Sequence, residues 1–531
     1  MGTHSSGAMT RRQFLRAVGA TAGAAGMYQA MAGLGIAHAS TWTQRPDWRG
    51  GHGDVLILGT GLAGLTAAFE LQQAGYRVSL LEYGSKVGGR TLTLRRGDVV
   101  SERQAPPQVC QFDEGQYFNA GAMRVPYHHH ALLDYCRRFG VVLEPFVQAN
   151  YNAWLASESA PGGRERFRTV RADFQGGISE LLTKVAESGH LDKLIDSHDL
   201  EALLESLQIY GALDADGRYT KNRLTSDRRG YDRWPGGGLH GAPAYSSPSS
   251  LKSVLNAQLW RQLGTGERVD YHPAMMQIAG GADRLAHAFA ERLAPGSLRF
   301  GAQVMTIEQD HRRVRVRWRD TLSGHIGDSE ASRCICTLPL PVLRQLDIRV
   351  DASMRQAINA VDYAASCKIG LQFKRRFWEE DDRMYGGITY TDSAYGSIAY
   401  PSHGFGSAKG VMLGSYTSRA QAETLGALPP SQRIASAARY ATQLHDQGLD
   451  SFEHGVTVAW QNMPGAQGCW ASWTDDLRDR HYRTMSNFSG RIGLAGEHVS
   501  YLAGWQEGAI TSALDMAGQL HARAMAGLAA G

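Results

Sequence analysis

The chain is poor in cysteine and shows no spacing of metal ligands. Six cysteines in 531 residues are too few to build a disulfide scaffold. Cys334 and Cys336 fall on one face of an apparent strand, which favours buried thiols. Consecutive imidazoles from His128 to His130 point in different directions at a predicted helix start, so they indicate a local basic surface. We therefore expect no metal.

Long apolar runs and an excess of charge are also missing. No apolar stretch past residue 40 is long enough to cross a membrane, and the mean hydropathy is −0.32. We expect a soluble mature protein without stable membrane association. The net charge is +4, and residues 1–40 hold Arg11, Arg12 and Arg16 but no acid, which leaves +1 for the remainder. Nucleic acid is therefore not indicated as a partner.

The first forty residues predict a transport signal. Thr10-Arg11-Arg12-Gln13-Phe14-Leu15 is a twin-arginine motif, an Ala/Gly-rich stretch follows it, and Ala37-His38-Ala39 fits a cleavage site. Clustered glycines argue against the alternative, an amphipathic surface helix. Because this route exports folded proteins, we expect a periplasmic or secreted protein with residues 1–40 as its signal peptide.

The most informative segment begins at Asp54. It contains, in order, a strand-like run, a glycine motif, a helical run and a second strand-like run: Val55–Leu58, Gly59-x-Gly61-x-x-Gly64, Leu62–Ala74 and Val78–Leu81. The glycines allow a tight turn, the close approach of a pyrophosphate and helix–strand packing. Glu82, which ends the second run, is placed to bind a ribose. The pattern predicts a dinucleotide site.

A second glycine turn, Gly88-Gly89-Arg90, follows. An extended FAD needs more backbone close to its phosphates than the first turn supplies, and the Arg90 guanidinium suits that anionic neighbourhood. The alternative is an NAD-binding domain. Together with the first motif, these residues resemble the flavin-containing amine oxidase family, which includes monoamine, polyamine and L-amino acid oxidases. The resemblance runs from about Asp54 to about Met525.

The resemblance implies an α/β fold in which a Rossmann-type, glutathione-reductase-like FAD-binding domain is interleaved with an α+β substrate-binding domain. The FAD domain is expected at residues 53–120, 275–345 and 465–525, and the substrate domain, with a helical insertion, at 121–274 and 346–464. The residue pattern itself predicts two helices, three strands and a long ordered loop: 127–139, 178–207, 298–307, 314–318, 333–337 and 212–250.

A second cofactor signature lies near the C-terminus. Gly496-Glu497 ends a short strand, and Gly504-Trp505 precedes a helical run from about Gln506. In the family the glutamate binds the ribityl chain of the flavin. The helix N-terminus, which carries about +0.5 charge, faces the part of the flavin ring where negative charge develops on reduction. By this resemblance the cofactor contacts are Gly59, Gly61, Leu62, Ala63, Gly64, Glu82, Gly89, Arg90, Gly121, Ala122, Met123, Arg124, Val304, Gly496, Glu497, Gly504, Trp505 and Ala509.

Two local matches bear on the reaction. Ala120-Gly121-Ala122-Met123-Arg124 resembles the segment of L-amino acid oxidases whose arginine binds the substrate carboxylate, and such a fork fixes orientation as well as charge. Lys368, in an apolar strand, matches the lysine that holds a water against the flavin. The alternatives are a surface salt bridge for Arg124 and an exposed lysine for Lys368, a role for which Lys374 is the nearby candidate.

Further matches concern the aromatic cage and the flavin linkage. Trp470 and Trp505, the latter after Gly504, match the two positions that flank the substrate amine, although plain core tryptophans are the alternative. Tyr400 resembles, more loosely, a tyrosine that donates to the substrate carboxylate. Cys469 stands where monoamine oxidases attach the flavin covalently. L-amino acid oxidases generally bind FAD noncovalently, which we favour here.

These matches predict a FAD-dependent L-amino acid oxidase that uses O₂, produces H₂O₂ and forms a homodimer. The alternatives are an amine or polyamine oxidase, a decarboxylating amino-acid monooxygenase, an oxidase specific for basic L-amino acids, a quinone-reducing dehydrogenase and a non-enzymatic flavoprotein. We expect residues 212–250 and 380–416 to form the outer pocket wall. Their aromatic content favours large apolar and aromatic substrates.

Overall fold

The computed structural model describes residues 46–191, 193–271 and 274–529. The predicted signal peptide at residues 1–40 lies outside the described residues. Within the described part of the chain, no helix is both long enough and apolar enough to cross a membrane.

A five-stranded parallel sheet forms the centre of the predicted nucleotide-binding region. In its first strand, Leu56 lies opposite Ser79 on one side and Cys334 on the other. The strand is buried from Val55 to Leu58, as is usual for a parallel sheet that is covered on both faces. In spatial order the strands are Leu298–Arg299, Arg77–Leu81, Asp54–Leu58, Arg333–Cys336 and Ile492–Leu494.

Helices cover one face of this sheet, and a second sheet covers the other. The helix Leu62–Ala74 and the C-terminal helix Gln506–Ala529 share an apolar core with Val55 and Ile57. Because side chains alternate along a strand, Leu56 and Leu58 contribute to the core on the opposite face. The sheet on that face consists of Ile326–Ala331, Val314–Asp320, Ala302–Gln309 and Asp347–Ile348.

A larger, mostly antiparallel sheet faces the carboxyl ends of the parallel strands. Its strand Ser366–Phe373 is buried at every position, and the helices Arg419–Gly426 and Pro430–Leu444 pack against it. In spatial order the strands are Arg164–Arg166, Trp154–Ala156, Ile388–Thr391, Ser397–Ala399, Gly410–Ser418, Ser366–Phe373 and Phe452–Ala459.

A helical insertion follows the strand Arg164–Arg166. The helix predicted over 178–207 is in fact two helices, because Gly189 has a left-handed φ of +77° and Asp196 caps a new helix by accepting from the backbone of Asp199. The predicted loop 212–250 also contains a helix, which Asn222 caps. The helical elements of the insertion are Phe167–Glu187, Ser197–Gly211, Arg223–Arg229, Leu251–Ala257 and the 3₁₀ segment Leu259–Glu267.

Short elements join the two regions. The helix predicted from Tyr127 begins at His130 and ends at Phe139, as predicted. The neighbouring sheet has the strand order Val125–Pro126, Met275–Ile278, Leu143–Phe146, and Arg284–Ala290 is helical. Three separate chain segments supply strands to the parallel sheet, so the chain leaves this region and returns twice. This arrangement confirms the predicted fold class, while the domain boundaries stay predictions.

Candidate active site

A cavity of about 740 Å³ lies where the carboxyl ends of the parallel strands meet the larger sheet. Open α/β sheets bind ligands at this edge. Most residues predicted from the sequence are brought together here: Gly61, Leu62, Ala63, Arg90, Gly121, Ala122, Met123, Arg124, Lys368, Cys469, Trp470, Gly496, Glu497, Gly504, Trp505 and Ala509.

The first glycine turn has room for a ligand at one of its glycines only. Gly59 has a left-handed φ of +96°, and a Cβ on Gly64 would lie 2.0 Å from the Gly59 carbonyl oxygen. By contrast, a Cβ on Gly61 would meet no atom within 4 Å. No side chain caps the helix that begins after Gly61. The turn therefore presents a helix N-terminus to open space, which suits a phosphate group.

The second glycine turn lies directly against the first. Gly61 and Gly88 form a parallel bridge, and a Cβ on Gly89 would lie 3.3 Å from the Cα of Gly61. Gly121 approaches the second turn even more closely from another segment, because a Cβ on Gly121 would lie 1.8 Å from the Arg90 carbonyl oxygen. Three separate glycine-bearing segments thus form one continuous backbone surface.

Glu82 and Val304 lie beside the cavity without lining it. The Glu82 carboxylate accepts from the Thr60 backbone at 2.8 Å, the Thr60 hydroxyl at 2.6 Å and the Gly84 backbone at 2.7 Å. Val304 is buried in the same apolar core as Leu81. The expected contacts of these two residues with ribose and adenine stay predictions.

Arg90 and Glu497 form an ion pair inside the cavity. Arg90 also donates to the Cys469 carbonyl at 2.7 Å, and the second Glu497 oxygen accepts from the backbone of Ala471 at 3.3 Å and Gly504 at 2.9 Å. Burial opposes ionisation of both groups, but the Arg90 charge still holds the pKa of Glu497 below its usual range. The pair thus fixes the two segments that carry the predicted cage.

Lys368 is 4% exposed and is surrounded by backbone carbonyls. Its ammonium donates to the Gly121 carbonyl at 2.6 Å and to the Asn119 carbonyl at 3.4 Å, and lies 4.6 Å from the centre of the Tyr416 ring. Burial is the main cause that lowers the pKa of Lys368 to about 7, and Arg124 lowers it further. Lys374, the other candidate, is exposed.

The direct contacts of the Arg124 guanidinium are with neutral groups. It donates to the Gln148 side chain at 2.8 Å, and Gln148 donates to the Tyr390 hydroxyl at 3.2 Å. The guanidinium lies 4.3 Å from the centre of the Tyr271 ring and 5.8 Å from that of Trp505. Among the described residues Arg124 forms no ion pair, so its charge is available to a ligand in the cavity.

The two predicted cage residues border the same cavity from different segments. Trp470 begins the short strand Trp470–Ser472, and its side chain packs against Gly504, where a Cβ would lie 3.3 Å from the Trp470 Cβ. Trp505 precedes the C-terminal helix and meets Tyr271 with ring centres 6.2 Å apart. Both rings are partly exposed, as expected of residues that border a cavity.

The model of the family described as "Flavin containing amine oxidoreductase" matches residues 62–521 of the chain. The chain belongs to this family. Its amine oxidoreductase relatives include an L-amino-acid oxidase of Siganus canaliculatus, 28% identical over 87% of this chain and 84% of the relative. Another is the flavin-dependent L-tryptophan oxidase RebO of Lentzea aerocolonigenes, 27% identical over 87% of this chain and 97% of the relative.

Solved structures of putrescine oxidase share the fold. A mutant of putrescine oxidase superposes with a TM-score of 0.57 at 18% identity, covering 90% of this chain and 99% of its own. Wild-type putrescine oxidase bound to putrescine gives 0.56 at 18% identity, covering 89% and 99%. At such identity the likeness concerns the fold alone.

The protein is therefore a flavin-dependent oxidoreductase, and FAD is its cofactor. The residues present fit this group. The open space at Gly61, the uncapped helix N-terminus beside it and the abutting second glycine turn suit a pyrophosphate. The N-terminal residues Gln506 and Ala509 of the C-terminal helix line the other side of the cavity.

The structure does not bring Tyr400 into this flavoenzyme's cavity, which corrects the prediction that it binds the substrate carboxylate. Its hydroxyl contacts the Thr389 hydroxyl at 2.8 Å and His445 Nε2 at 2.9 Å, and it is only 2% exposed. It lines a separate cavity of about 60 Å³. Tyr390, ten residues earlier and on the neighbouring strand, occupies the expected place instead.

The predicted outer wall is half correct. Residues 388–416 contribute Ile388, Tyr390 and Tyr416 to the cavity, but no residue of the described segment 212–250 lines it. The wall there comes from the 3₁₀ segment Leu259–Glu267 and the residues after it. On this wall, sequence reasoning missed Thr265, Arg268, Asp270 and Tyr271. It also missed Gln148, which binds Arg124 without lining the cavity.

Proposed function

We propose that this flavoenzyme oxidises L-amino acids to 2-oxo acids, with release of ammonium and H₂O₂. The observation that supports this proposal most strongly concerns Arg124, a cation that lines the cavity next to aromatic rings. Its hydrogen-bond acceptor is a neutral amide, and it has no acidic partner among the described residues. A carboxylate would complete its hydrogen bonding with two parallel bonds. The names of relatives, including an L-tryptophan oxidase, support this substrate class.

The chain's own residues would orient the substrate. Arg124 binds the carboxylate, supported from behind by Gln148, while Trp470 and Trp505 flank the amine and limit the access of water. Lys368 lines the same cavity and can hold a water there. Because its pKa is about 7, the amine can be protonated or neutral near neutrality, so it can also hold or release a proton. Bound FAD would supply the acceptor for the Cα hydride and the route by which the electrons reach O₂.

The side-chain end of the cavity favours large apolar and aromatic L-amino acids. Ile388, Tyr390, Tyr416, Trp460 and Tyr271 contribute apolar and aromatic side chains to the lining of the cavity. When the positions of the carboxylate, the amine and the Cα–H are all fixed, only one enantiomer can react, so we expect D-amino acids to be rejected.

The test is a panel of L-amino acids, their D-enantiomers and the corresponding decarboxylated amines in a peroxide-coupled assay on purified holoenzyme. We expect turnover of Phe, Tyr, Leu, Met and Trp, anaerobic bleaching of the yellow colour by these substrates, and 2-oxo acid as product. Equal or better turnover of the amines would refute the proposal. An amide product would indicate a monooxygenase instead.

A second candidate, oxidation of basic L-amino acids, rests on Asp270. Its carboxylate lines the cavity and could pair with a substrate ammonium or guanidinium. Arg268 lines the same wall and offsets the negative charge of Asp270, so we rank oxidation of basic amino acids second. Turnover confined to Lys and Arg, and lost in Asp270→Asn, would favour it.

Cys469 bears on whether FAD is attached covalently. Burial raises the pKa of its thiol to about 11, so the sulfur carries no charge near neutrality, and we favour noncovalent binding. Acid precipitation should then release the yellow colour into solution. Colour that stays with the polypeptide would indicate a covalent link.

The location of the enzyme is a separate proposal, which rests on the twin-arginine motif at Arg11 and Arg12. We expect the enzyme outside the cytoplasm, as a homodimer. Cell fractionation of the wild type against the double variant Arg11→Lys/Arg12→Lys tests export. Light scattering on the purified protein tests the oligomeric state.

A further inference from the structure

His128, His129 and Asp270 come together at the wall of the cavity. One ligand atom from each lies within 4.8 Å of the others, and His128 Nε2 is 3.3 Å from an Asp270 oxygen. The two imidazole rings meet edge to face with centres 4.9 Å apart. The segments that hold them are far apart in sequence, so this cluster is a product of the fold.

The structure corrects the expectation that the three histidines form a basic surface. His129 is 1% exposed, and burial together with its two histidine neighbours lowers its pKa to about 3, so it is a neutral imidazole. Among the described residues its Nε2 has no hydrogen-bond partner, and neither does Nδ1 of His128. A buried nitrogen without a partner is costly, so a ligand bound at these two atoms would be stabilising.

The surroundings hold the two histidines in place. The Glu507 carboxylate, from the C-terminal helix, accepts from the backbone of Ala131 at 2.9 Å and of Leu132 at 2.8 Å. His129 also packs edge-on against the Trp505 ring, with centres 5.0 Å apart. His128 and Asp270 have side chains 25% and 40% exposed, so an ion can reach the cluster from solvent.

We propose that His128, His129 and Asp270 bind a divalent transition metal of the zinc class. Two imidazoles and one carboxylate are a donor set that Zn²⁺ and Co²⁺ take readily, and three protein ligands leave a position for water. Ligand atoms around such an ion lie about 3.3–3.5 Å apart for metal–ligand distances of about 2.0–2.1 Å. Atoms that now lie up to 4.8 Å apart must therefore approach by up to about 1.5 Å, a shift that the partly exposed Asp270 side chain can supply.

Metal binding would fasten the cavity wall to the aromatic residues of the site. Asp270 immediately precedes Tyr271, whose ring lies over the Arg124 guanidinium. On the other side His129 contacts Trp505. An ion shared by these segments would hold the residues after Glu267 against the helix that begins at His130.

The experiment uses FAD-loaded protein that has been treated with EDTA and dialysed. Co²⁺ is titrated in while its d–d absorption is followed at wavelengths beyond the flavin bands, and Zn²⁺ is then added to displace it. We expect a tetrahedral-type spectrum that saturates at one ion per chain. His128→Ala and Asp270→Asn should each weaken binding by at least about tenfold.

His198→Ala is the matched control, because His198 is exposed on the helix Ser197–Gly211. A second readout is trypsin cleavage after Arg268, which is exposed, and which Zn²⁺ should slow in the wild type but not in His128→Ala. Absence of a Co²⁺ spectrum in the wild type, or equal binding by His128→Ala and His198→Ala, overturns the proposal. Neither readout depends on the substrate, so the proposed oxidase activity is tested separately.

Discussion

Arg90 and Glu497 lie 407 residues apart in the chain and form an ion pair in the cavity. The pair joins the second glycine turn to the C-terminal cofactor signature, and each partner also binds backbone of the segments that carry the tryptophans. These contacts make Glu497 a structural element of the cage in addition to its expected role at the ribityl chain.

Glu497→Gln should therefore affect FAD and the cage together. Removing one partner of a buried ion pair leaves Arg90 without compensation and costs about 3–5 kcal/mol. We expect a lower thermal midpoint and loss of FAD on gel filtration. Glu330→Gln, which removes a surface partner of Arg313 and Arg315, is the control and should leave both unchanged. Wild-type FAD retention by Glu497→Gln would contradict this role.

Two glycines of one motif should respond differently to alanine. The Gly64→Ala methyl would collide with the Gly59 carbonyl oxygen, so this variant should fail to fold. The Gly61→Ala methyl meets only open space, so the apoprotein should fold with an unchanged thermal midpoint. FAD binding should weaken by about 1–3 kcal/mol, the usual cost of an extra methyl in filled space. Equal FAD affinity of Gly61→Ala and wild type, measured by fluorescence quenching, would place the phosphates elsewhere.

Lys368 should make stability depend on pH. Its pKa is lowered to about 7 in the folded protein from 10.5, chiefly by burial, so between these values the unfolded chain binds more protons. Stability therefore rises with pH in this window and is lost as pH falls towards 7. From pH 7 to 9 the wild type should gain about 2–3 kcal/mol relative to Lys368→Met. Thermal unfolding of both proteins in excess FAD measures the difference, and Lys374→Met serves as the exposed control.

The sequence predicts the position of a residue best where the determinants are local. The glycine turns, Lys368 and Arg124 each lie in a short motif whose backbone demands are visible in the residues themselves, and Gly61, Lys368 and Arg124 line the cavity. Gln148 and Tyr271 carry no such signal, since their contacts with Arg124 arise only when separate segments meet. His129 was misread because its burial depends on Trp505, which comes from the other end of the chain.

Tyr390, and not Tyr400, should affect substrate binding. Tyr400→Phe removes the buried hydroxyl that contacts His445 Nε2 and the Thr389 hydroxyl, so it should cost about 1–3 kcal/mol of stability and leave kcat/KM for L-phenylalanine unchanged. Tyr390→Phe removes the acceptor for Gln148, which supports Arg124, and should raise KM with little loss of stability. A large KM effect from Tyr400→Phe alone would restore the original assignment.

Arg124 decides between amino acids and amines as substrates. A charge-assisted hydrogen-bonded contact of this kind contributes about 1.5–3 kcal/mol, so Arg124→Ala should lower kcat/KM for L-phenylalanine about 10- to 150-fold. Phenethylamine, which lacks the carboxylate, should be affected little, and Arg124→Lys should fall between because it loses the fork. Arg268→Ala, an exposed arginine on the same cavity, is the matched control. Because both substrates share the amine and the ring, an equal loss for the two would mean that Arg124 shapes the cavity without binding the carboxylate, and the proposed substrate class would have to be abandoned.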